Sequence, residues 1–283
     1  MLFNLHTHSN YCDGSDHPGK YVKEAINNKF SLLGFSGHAP VPFKNKFAIP
    51  SDEKLMEYCS TIRHLQEKYA DQIEIHLGLE IDYIPNITRS FDDFRNLAGL
   101  DYVIGSVHLV NDGKRDPLWF IDGSAKQIYD KGLRELFDGD IKKAIGSYYH
   151  QINRMVEEEK PELIGHIDKI KMHNKDRYFH QEEPWYKDLV LETLHVVKES
   201  DSIIEVNSRG IYKKRCDQYY PDGWILDKIN EMNIPVTIST DAHKPSELML
   251  YFDDIKKSLS DRGFKEVWIL SGKEWVAKPL SKN

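Results

Sequence analysis

His6 and His8 stand two residues apart, directly behind an apolar run at the start of the chain. Side chains two apart in a strand project to the same side, so an extended segment from Leu2 to His8 would present both imidazoles together. Paired neutral imidazoles are ligands that zinc and similar divalent ions accept readily. A single His-x-His motif often arises by chance, so its meaning depends on what recurs along the chain.

Further metal-ligand residue types follow apolar segments throughout the chain. In order they are His6 with His8, His38, Glu80, His108, His166, Glu205 with Asn207, and Asp241 with His243. Parallel strands end at a common rim, and barrel enzymes carry their chemistry at the carboxyl ends of the strands. Packing alone does not account for such residues at seven successive strand ends. We therefore interpret the set as a candidate metal site.

Short apolar segments, most of them rich in β-branched residues, alternate with helical patterns. The predicted strands cover residues 2–5, 32–36, 73–79, 102–105, 163–166, 202–206, 235–238 and 267–270. The predicted helices cover about 18–28, 51–69, 139–159, 184–200, 222–233 and 246–262. Pro18 opens the first helix behind a cap at Ser15 or Asp16, and Ser51 caps the second. Repeated strand–helix units without a linker favour one α/β barrel domain, residues 1–283, over an open sheet.

Composition narrows the class of protein. The chain has 283 residues, of which 40% are hydrophobic and 29% charged, as is ordinary for a globular protein. The formal net charge is −7 and the basic residues form no run, which argues against a nucleic-acid partner. Three cysteines without a CxxC spacing indicate a reducing compartment. No leader-like start or membrane-spanning apolar run is present in the sequence, so we expect a cytoplasmic protein that does not contact a membrane. The oligomeric state stays open.

Together with Asp13, the ordered set resembles the PHP family of metal phosphoesterases, which joins polymerase-associated domains and histidinol phosphatases. Within the family, four segments are similar to the histidinol-phosphate phosphatase subgroup. They are Gly37-His38-Ala39-Pro40, Gly78-Leu79-Glu80-Ile81-Asp82-Tyr83-Ile84, Ser106-Val107-His108 and Gly165-His166-Ile167-Asp168-Lys169. The resemblance covers almost the whole chain and implies a distorted (β/α)7 TIM-like barrel of PHP type with three metal ions. Because eight strands are predicted, one of them is expected to be peripheral or wrong.

The resemblance assigns the candidate ligands to three sites. His6, His8, Glu80 and Asp241 would hold the first divalent ion; Glu80, His108 and His166 the second; and Asp13, His38 and His243 the third. Glu80 would bridge the first two ions, because a bridging position needs a ligand with two oxygens. Some family members carry histidine in place of Asp13, and Asp16 and His17 lie close enough in the chain to compete for that role. Ligands of these types suit Zn, Mn, Fe and Co, so the identity of the metal stays open.

The resemblance implies a phosphoric monoester hydrolase that converts L-histidinol phosphate to L-histidinol and phosphate in histidine biosynthesis. Three cations would offset the charge of the phosphoryl oxygens, and Asp241 would accept the proton of the attacking water and return one to the leaving alkoxide. Two alternatives stay open: a PHP phosphoesterase acting on nucleotides, nucleic-acid ends or phosphotyrosine, and a metal-binding module without catalysis. The acidic charge and the subgroup-like segments argue against the first, and the intact ligand set argues against the second.

The segments behind the fifth and sixth strands supply candidate contacts to the small-molecule phosphate ester. Arg177 and Arg209 come first for the phosphate, because a planar guanidinium suits its geometry. The other cations are expected to be solvated surface charge: Lys171, Lys213, Lys214 and Arg215. The acidic candidates for the ammonium group of the substrate are Asp112, Asp116 and Asp122. Asp82 lies two residues after Glu80, so in a strand both side chains project to the same face. Asp82 is expected to orient a ligand histidine.

Overall fold

The computed structural model describes residues 1–111 and 118–280. Its strands, in chain order, are β1 (Leu2–Asn4), β2 (Phe30–His38), β3 (Glu74–Asp82), β4 (Tyr102–Ser106), β5 (Leu109–Val110), β6 (Trp119–Phe120), β7 (Leu163–Ile164), β8 (Ile203–Asn207), β9 (Val236–Ser239), β10 (Glu266–Ser271) and β11 (Glu274–Pro279). Its α-helices are α1 (Pro18–Asn27), α2 (Asp52–Lys68), α3 (Phe91–Ala98), α4 (Lys126–Phe137), α5 (Ile141–Glu159), α6 (Pro184–Lys198), α7 (Arg209–Tyr212), α8 (Trp224–Glu231) and α9 (Phe252–Asp261). Short 3-10 turns at Lys169–Lys171 and Pro245–Glu247 follow β7 and β9.

Seven parallel strands form one sheet in the order β1-β2-β3-β4-β7-β8-β9. The outer face of this sheet is covered by helices: α1 packs against β2, α2 against β3, and α9 against β9. Because both faces are buried, the strands read in the sequence as continuous apolar runs rather than as alternating patterns. The α/β barrel with seven strands that was predicted from the sequence is therefore confirmed.

The two ends of the sheet meet just beyond β1 and β9. Thr7 and Ala242 form a parallel bridge, in which the backbone N–H of His8 donates to Ala242 O over 2.8 Å. The backbone N–H of Ala242 in turn donates to His6 O over 3.0 Å. This bridge closes the barrel with few hydrogen bonds, and it brings His6 and His8 beside Asp241.

The ring of Tyr102, which is buried, fills the amino-terminal end of the barrel interior. Its hydroxyl donates to the carbonyl oxygens of Leu5 and Phe35. Glycine is required opposite the ring, because a Cβ atom at Gly78 would lie 2.5 Å from Tyr102 Cζ. This end of the barrel is packed with side chains, so a site for chemistry is confined to the opposite rim.

The eighth predicted strand, residues 267–270, is peripheral. It lies in β10, which pairs with β11 as an antiparallel hairpin outside the barrel sheet. Gly272, with a φ of +62°, lies in the short turn between the two strands. The expectation that one of the eight strands would not belong to the barrel is thus confirmed.

Helix ends follow local signals, with one correction. Ser51 caps α2 as predicted, because its hydroxyl accepts from the backbone N–H of Lys54 over 3.3 Å. The cap of α1 is His17 and neither Ser15 nor Asp16, since the His17 ring accepts from the backbone N–H of Gly19 over 3.2 Å.

The last predicted helix, 246–262, begins later than expected. Pro245–Glu247 forms a 3-10 turn, and Tyr251 has a φ of +61°, so the regular helix starts at Phe252. In the described part of the chain, no helix combines the length and apolarity that crossing a membrane requires.

Candidate metal centre

The predicted ligands lie together at the carboxyl ends of the barrel strands. His6 and His8 follow β1, Asp13 lies in the β1–α1 loop, His38 ends β2, Glu80 is in β3, His108 follows β4, His166 follows β7, and Asp241 and His243 follow β9. Parallel register sets His38 directly opposite Glu80 on the neighbouring strand. The candidate ligand atoms fall into groups whose members lie within 4.8 Å of one another: His6-His8-Asp241, Glu80-His108-His166, His8-Asp13-His38-His243 and His38-Asp82-His108.

These groups resemble the predicted sites, with three differences. Glu80 is grouped with His108 and His166 but not with His6, His8 and Asp241, although it was assigned to both sites. His8 faces both the first and the third group, although the sequence assigned it only to the first. Asp82 and His108 approach His38 in a fourth group that the sequence did not suggest. The third site therefore has a fourth nearby donor, and His38 stands between two groups.

Glu80 stands at the centre of the cluster. Its Oε2 atom lies 3.2 Å from His6 Nε2 and 3.3 Å from His8 Nε2. Its Oε1 atom lies 3.0 Å from His166 Nε2 and accepts from the Ser106 hydroxyl over 2.6 Å. The two carboxylate oxygens thus face two different groups of histidines, which is the arrangement that a bridging ligand requires.

Several buried side-chain atoms at the centre have no hydrogen-bond partner among the described residues. They are His6 Nε2, His8 Nε2, His38 Nδ1 and Asp241 Oδ1. An unpaired buried polar atom costs free energy, so a cluster of such atoms indicates a binding partner from outside the chain. Imidazole nitrogens and carboxylate oxygens that converge in this way are the ligands of divalent transition metals. The residues present therefore fit a metal centre.

Two carboxylates contact the Nδ1 atoms of candidate ligand histidines, on the side of each ring that faces away from the cluster. Glu205 Oε1 lies 2.5 Å from His6 Nδ1, and Asp82 Oδ1 lies 2.7 Å from His108 Nδ1. The contact between Asp82 and His108 was expected, because Asp82 projects to the same face of its strand as Glu80. Such partners fix the ring orientation and the tautomer, and they leave Nε2 directed at the cluster.

The electrostatics of the site favour ionised carboxylates. Burial alone would raise the pKa of Glu80, but the neighbouring His6 lowers it well below the usual range. Burial would also raise the pKa of Asp241, whereas Arg209 and His6 lower it. Burial lowers the pKa of His6, but Glu205, Glu80 and Asp241 outweigh it and raise that pKa to about 10. In the metal-free chain His6 is consequently protonated at neutral pH.

Asp13 is the member of its loop that reaches the cluster. Its Oδ2 atom lies 3.2 Å from His243 Nε2, and its Oδ1 atom lies 3.9 Å from His38 Nε2. The two competitors are engaged elsewhere: Asp16 pairs with Lys20 Nζ at 2.5 Å, and His17 caps α1. The structure thus places Asp13 beside the candidate ligands and keeps Asp16 and His17 away from them.

A cavity of about 590 Å³ lies over the cluster. Its lining includes four large apolar residues, Phe43, Phe47, Phe120 and Ile128. The rings of Phe47 and Phe120 have centroids 5.9 Å apart and form a continuous aromatic wall. The lining also carries cations, namely Lys44, Lys46, Lys169, Arg209 and Arg215. A small ligand with an anionic end and an apolar or aromatic end matches this lining.

The predicted substrate contacts divide into two sets. Arg209 lines the cavity, whereas Arg177 lies outside its lining and pairs with Asp130 at 2.8 Å. The expectation that Arg177 contacts the phosphate is therefore corrected, because a surface carboxylate already holds its guanidinium. Asp122 lines the cavity, while Asp112 and Asp116 lie outside the described residues.

Four cavity cations were not singled out from the sequence: Lys44, Lys46, Lys169 and Arg215. Lys169 is buried and lies 2.9 Å from Asp122 Oδ2 and 3.1 Å from His108 Nε2. Arg215 belongs to the loop that follows α7 and was expected to be surface charge. Lys169 could have been identified from its position three residues after His166. Nothing in the sequence distinguished Arg215 from its basic neighbours.

The PHP domain profile matches residues 4–209. This match covers more than half of the chain and includes the His-x-His segment and the first seven candidate ligands, so the chain belongs to the PHP domain family. A Deinococcus radiodurans protein named "Probable histidinol-phosphatase" is 26% identical in an alignment of 274 positions that covers 94% of this chain and 95% of that protein. The histidinol-phosphatase of Bacillus subtilis is 25% identical in an alignment of 264 positions that covers 86% of this chain and 94% of that enzyme.

The fold is shared with a solved structure of the same family. Histidinol phosphate phosphatase from Lactococcus lactis, crystallised with zinc, L-histidinol and phosphate, superposes with a TM-score of 0.72 at 23% sequence identity. The match covers 97% of this chain and 98% of that one. At this level of identity the likeness concerns the fold, and the barrel described above is the part that the two chains share.

Proposed function

We propose that the protein is a metal-dependent phosphomonoesterase that hydrolyses L-histidinol phosphate to L-histidinol and phosphate. The single observation that carries the proposal is the position of Glu80, whose two oxygens face separate histidine groups in a cavity that several cations line. The named activity of the curated relatives, histidinol-phosphatase, supports the same substrate.

We further propose three divalent ions, held by His6, His8, Glu80 and Asp241, by Glu80, His108 and His166, and by Asp13, His38 and His243. Zinc is the first candidate, because the Lactococcus lactis structure contains it and because the donors are imidazoles and carboxylates. Bound cations of this kind neutralise phosphoryl charge and make water nucleophilic near neutral pH.

Asp241 is the proposed proton carrier. Its carboxylate is buried, and Arg209 and His6 lower its pKa even though burial opposes this, so it is in the base form at neutral pH. In the proposed reaction it takes the proton of the attacking water and later passes a proton to the oxygen of the leaving histidinol. The P–O bond to histidinol breaks as the new P–O bond to water forms, and the reaction needs no other reactant.

The cavity lining supports the choice of substrate. We propose that Arg215 and Arg209 contact the phosphate and that the aromatic wall of Phe47 and Phe120 stacks against the imidazole. Asp122 Oδ1 is buried and has no hydrogen-bond partner among the described residues, so it is the proposed acceptor for the substrate ammonium group. A cytoplasmic role without a nucleic-acid partner is proposed from the free cysteines and the net charge of −7.

Phosphate release tests the proposal. Protein expressed with added zinc or manganese should release inorganic phosphate from L-histidinol phosphate, and treatment with a chelator should abolish the release. Restoring the metal should restore it. The proposal fails if the metal-replete protein releases no phosphate, or if turnover survives complete metal removal.

A further inference from the structure

The backbone of Asp241 is strained where the candidate ligand leaves β9. Its φ is +51°, in the left-handed region that residues with a side chain rarely adopt. This conformation turns the carboxylate inward, with Oδ1 3.3 Å from His8 Nε2 and 3.8 Å from His6 Nε2. Strained backbone persists where the surrounding structure holds it in place, so the groups that hold Asp241 bear on the site.

Three donors converge on the carbonyl oxygen of Asp241. Arg209 Nη1 donates to it over 2.7 Å, and the Tyr212 hydroxyl lies 3.0 Å away. The third donor is His243 Nδ1, also at 3.0 Å. The same Tyr212 hydroxyl lies 2.9 Å from the carbonyl oxygen of Thr240. One phenol therefore contacts the peptide groups on both sides of the Asp241 Cα atom.

Glu247 holds the other side of this turn. Its Oε2 atom accepts from the backbone N–H of His243 over 2.9 Å and lies 3.7 Å from Arg209 Nη1. Its Oε1 atom lies 3.3 Å from Lys213 Nζ, and the residue is buried. We call Arg209, Tyr212 and Glu247 the Asp241 clamp.

We propose that Tyr212 and Glu247 are positioning residues, which hold the Asp241–His243 turn so that both side chains face the metal centre. The inference rests on the proposed metal centre and assigns it two residues that are not ligands. The contact from His243 Nδ1 to the Asp241 carbonyl requires the proton on Nδ1, so Nε2 of His243 is left directed at Asp13, 3.2 Å away. The clamp therefore holds the backbone of Asp241 in place, and the Asp241 carbonyl oxygen in turn fixes the tautomer of His243.

Zinc affinity in the purified full chain tests the clamp. Zinc is titrated into metal-free protein in competition with a chromophoric chelator, for the wild type, Tyr212→Phe, Glu247→Ala and Glu247→Gln. Tyr212→Phe and Glu247→Ala should weaken at least one zinc ion by about tenfold or more, which is the usual cost of losing a partner that orients a ligand. Glu247→Gln keeps an oxygen to accept from the His243 N–H and should stay within about threefold of wild type, a conservative rescue.

Tyr219→Phe is the matched control, because Tyr219 lies in the same region, outside the cavity lining, and its hydroxyl makes no hydrogen bond within the described residues. Circular dichroism verifies that each variant is folded. If Tyr212→Phe is unfolded, the comparison of Glu247→Ala with Glu247→Gln tests the clamp. Unchanged zinc affinity in both Tyr212→Phe and Glu247→Ala overturns the clamp, as does an equal loss in Glu247→Gln and Glu247→Ala.

The clamp and the proposed function can fail separately. If the variants weaken zinc binding while the wild type hydrolyses no phosphomonoester, the clamp stands and the proposed function is wrong. If the wild type hydrolyses L-histidinol phosphate and the variants bind zinc as it does, the clamp is wrong and the proposed function stands.

Discussion

His6 Nδ1 lies 2.5 Å from Glu205 Oε1, so the ring of a candidate ligand is fixed by a carboxylate from β8. Glu205 also accepts from the Ser239 hydroxyl and, over 2.9 Å, from the backbone N–H of His166. Burial alone would raise the pKa of Glu205, but His6 lowers it below the usual value, which keeps the carboxylate ionised. One buried residue thus ties two candidate ligand segments together.

Glu205→Gln should weaken metal binding without touching a ligand. The amide replaces one of two acceptor oxygens with a donor, so either His6 Nδ1 or the His166 N–H loses its partner. We expect the affinity of the first site to fall roughly 10- to 100-fold, measured by chelator competition. Glu157→Gln, at an exposed position of α5, is the control. Equal affinity in the two variants would show that the His6 ring needs no partner.

Glu80→Ala should be among the most damaging single changes in the chain. Its two oxygens face His6 and His8 on one side and His166 on the other, so the change removes a donor from two sites at once. Elemental analysis should show a fall from close to three ions per chain to one or fewer, and we expect catalytic efficiency to fall by about 100-fold or more. A variant with full metal content and near-normal turnover would contradict the bridging role.

The clustering of the candidate ligands was predictable from the sequence because their residue types are tied to strand ends. His6, His8 and Glu80 follow apolar segments whose parallel arrangement forces them onto one rim. Tyr212 and Glu247 were not predictable, because their contacts are made to backbone atoms of a turn whose conformation no local pattern encodes.

The secondary structure was likewise predictable only in part. Seven barrel strands could be read from apolar runs, whereas α4 was missed although Tyr129, Leu133 and Phe137 recur at helical spacing and are buried. Arg215 was missed for a different reason: its place in the cavity depends on the path of the loop after α7. Arg177 was favoured by its type and by its place behind the fifth strand, and the structure pairs it with Asp130 instead.

Metal binding should release protons and strengthen as the pH rises. His6 has a pKa of about 10 in the metal-free chain, so at pH 7 it carries a proton that a cation on Nε2 must displace. Protons therefore compete with the metal below that pKa, and the apparent affinity should rise by about tenfold per pH unit for each proton released. Calorimetry in two buffers of different ionisation enthalpy measures the release. No release at pH 7, or tighter binding at pH 6 than at pH 8, would contradict this account.

Arg215→Met should impair catalysis while leaving the metals in place. The guanidinium lines the cavity and has no side-chain partner among the described residues, so it is available to the phosphate. Losing a charge-assisted contact of this kind costs roughly 1.5–3 kcal/mol, so we expect kcat/KM for L-histidinol phosphate to fall about tenfold or more. Arg177→Met, which removes an arginine outside the cavity lining, should change it by less than about twofold. Equal effects of the two changes would remove Arg215 from the substrate site.

If the proposed metal centre serves L-histidinol phosphate, that ester should be the preferred substrate. Steady-state kinetics of the metal-replete protein on L-histidinol phosphate, O-phosphotyrosine and a nucleoside monophosphate measure the preference. A cavity with an aromatic wall and a buried acceptor for an ammonium group should favour L-histidinol phosphate in kcat/KM by about 100-fold or more over both competitors. Higher efficiency on phosphotyrosine or the nucleotide, or no turnover of any of the three, would contradict the account.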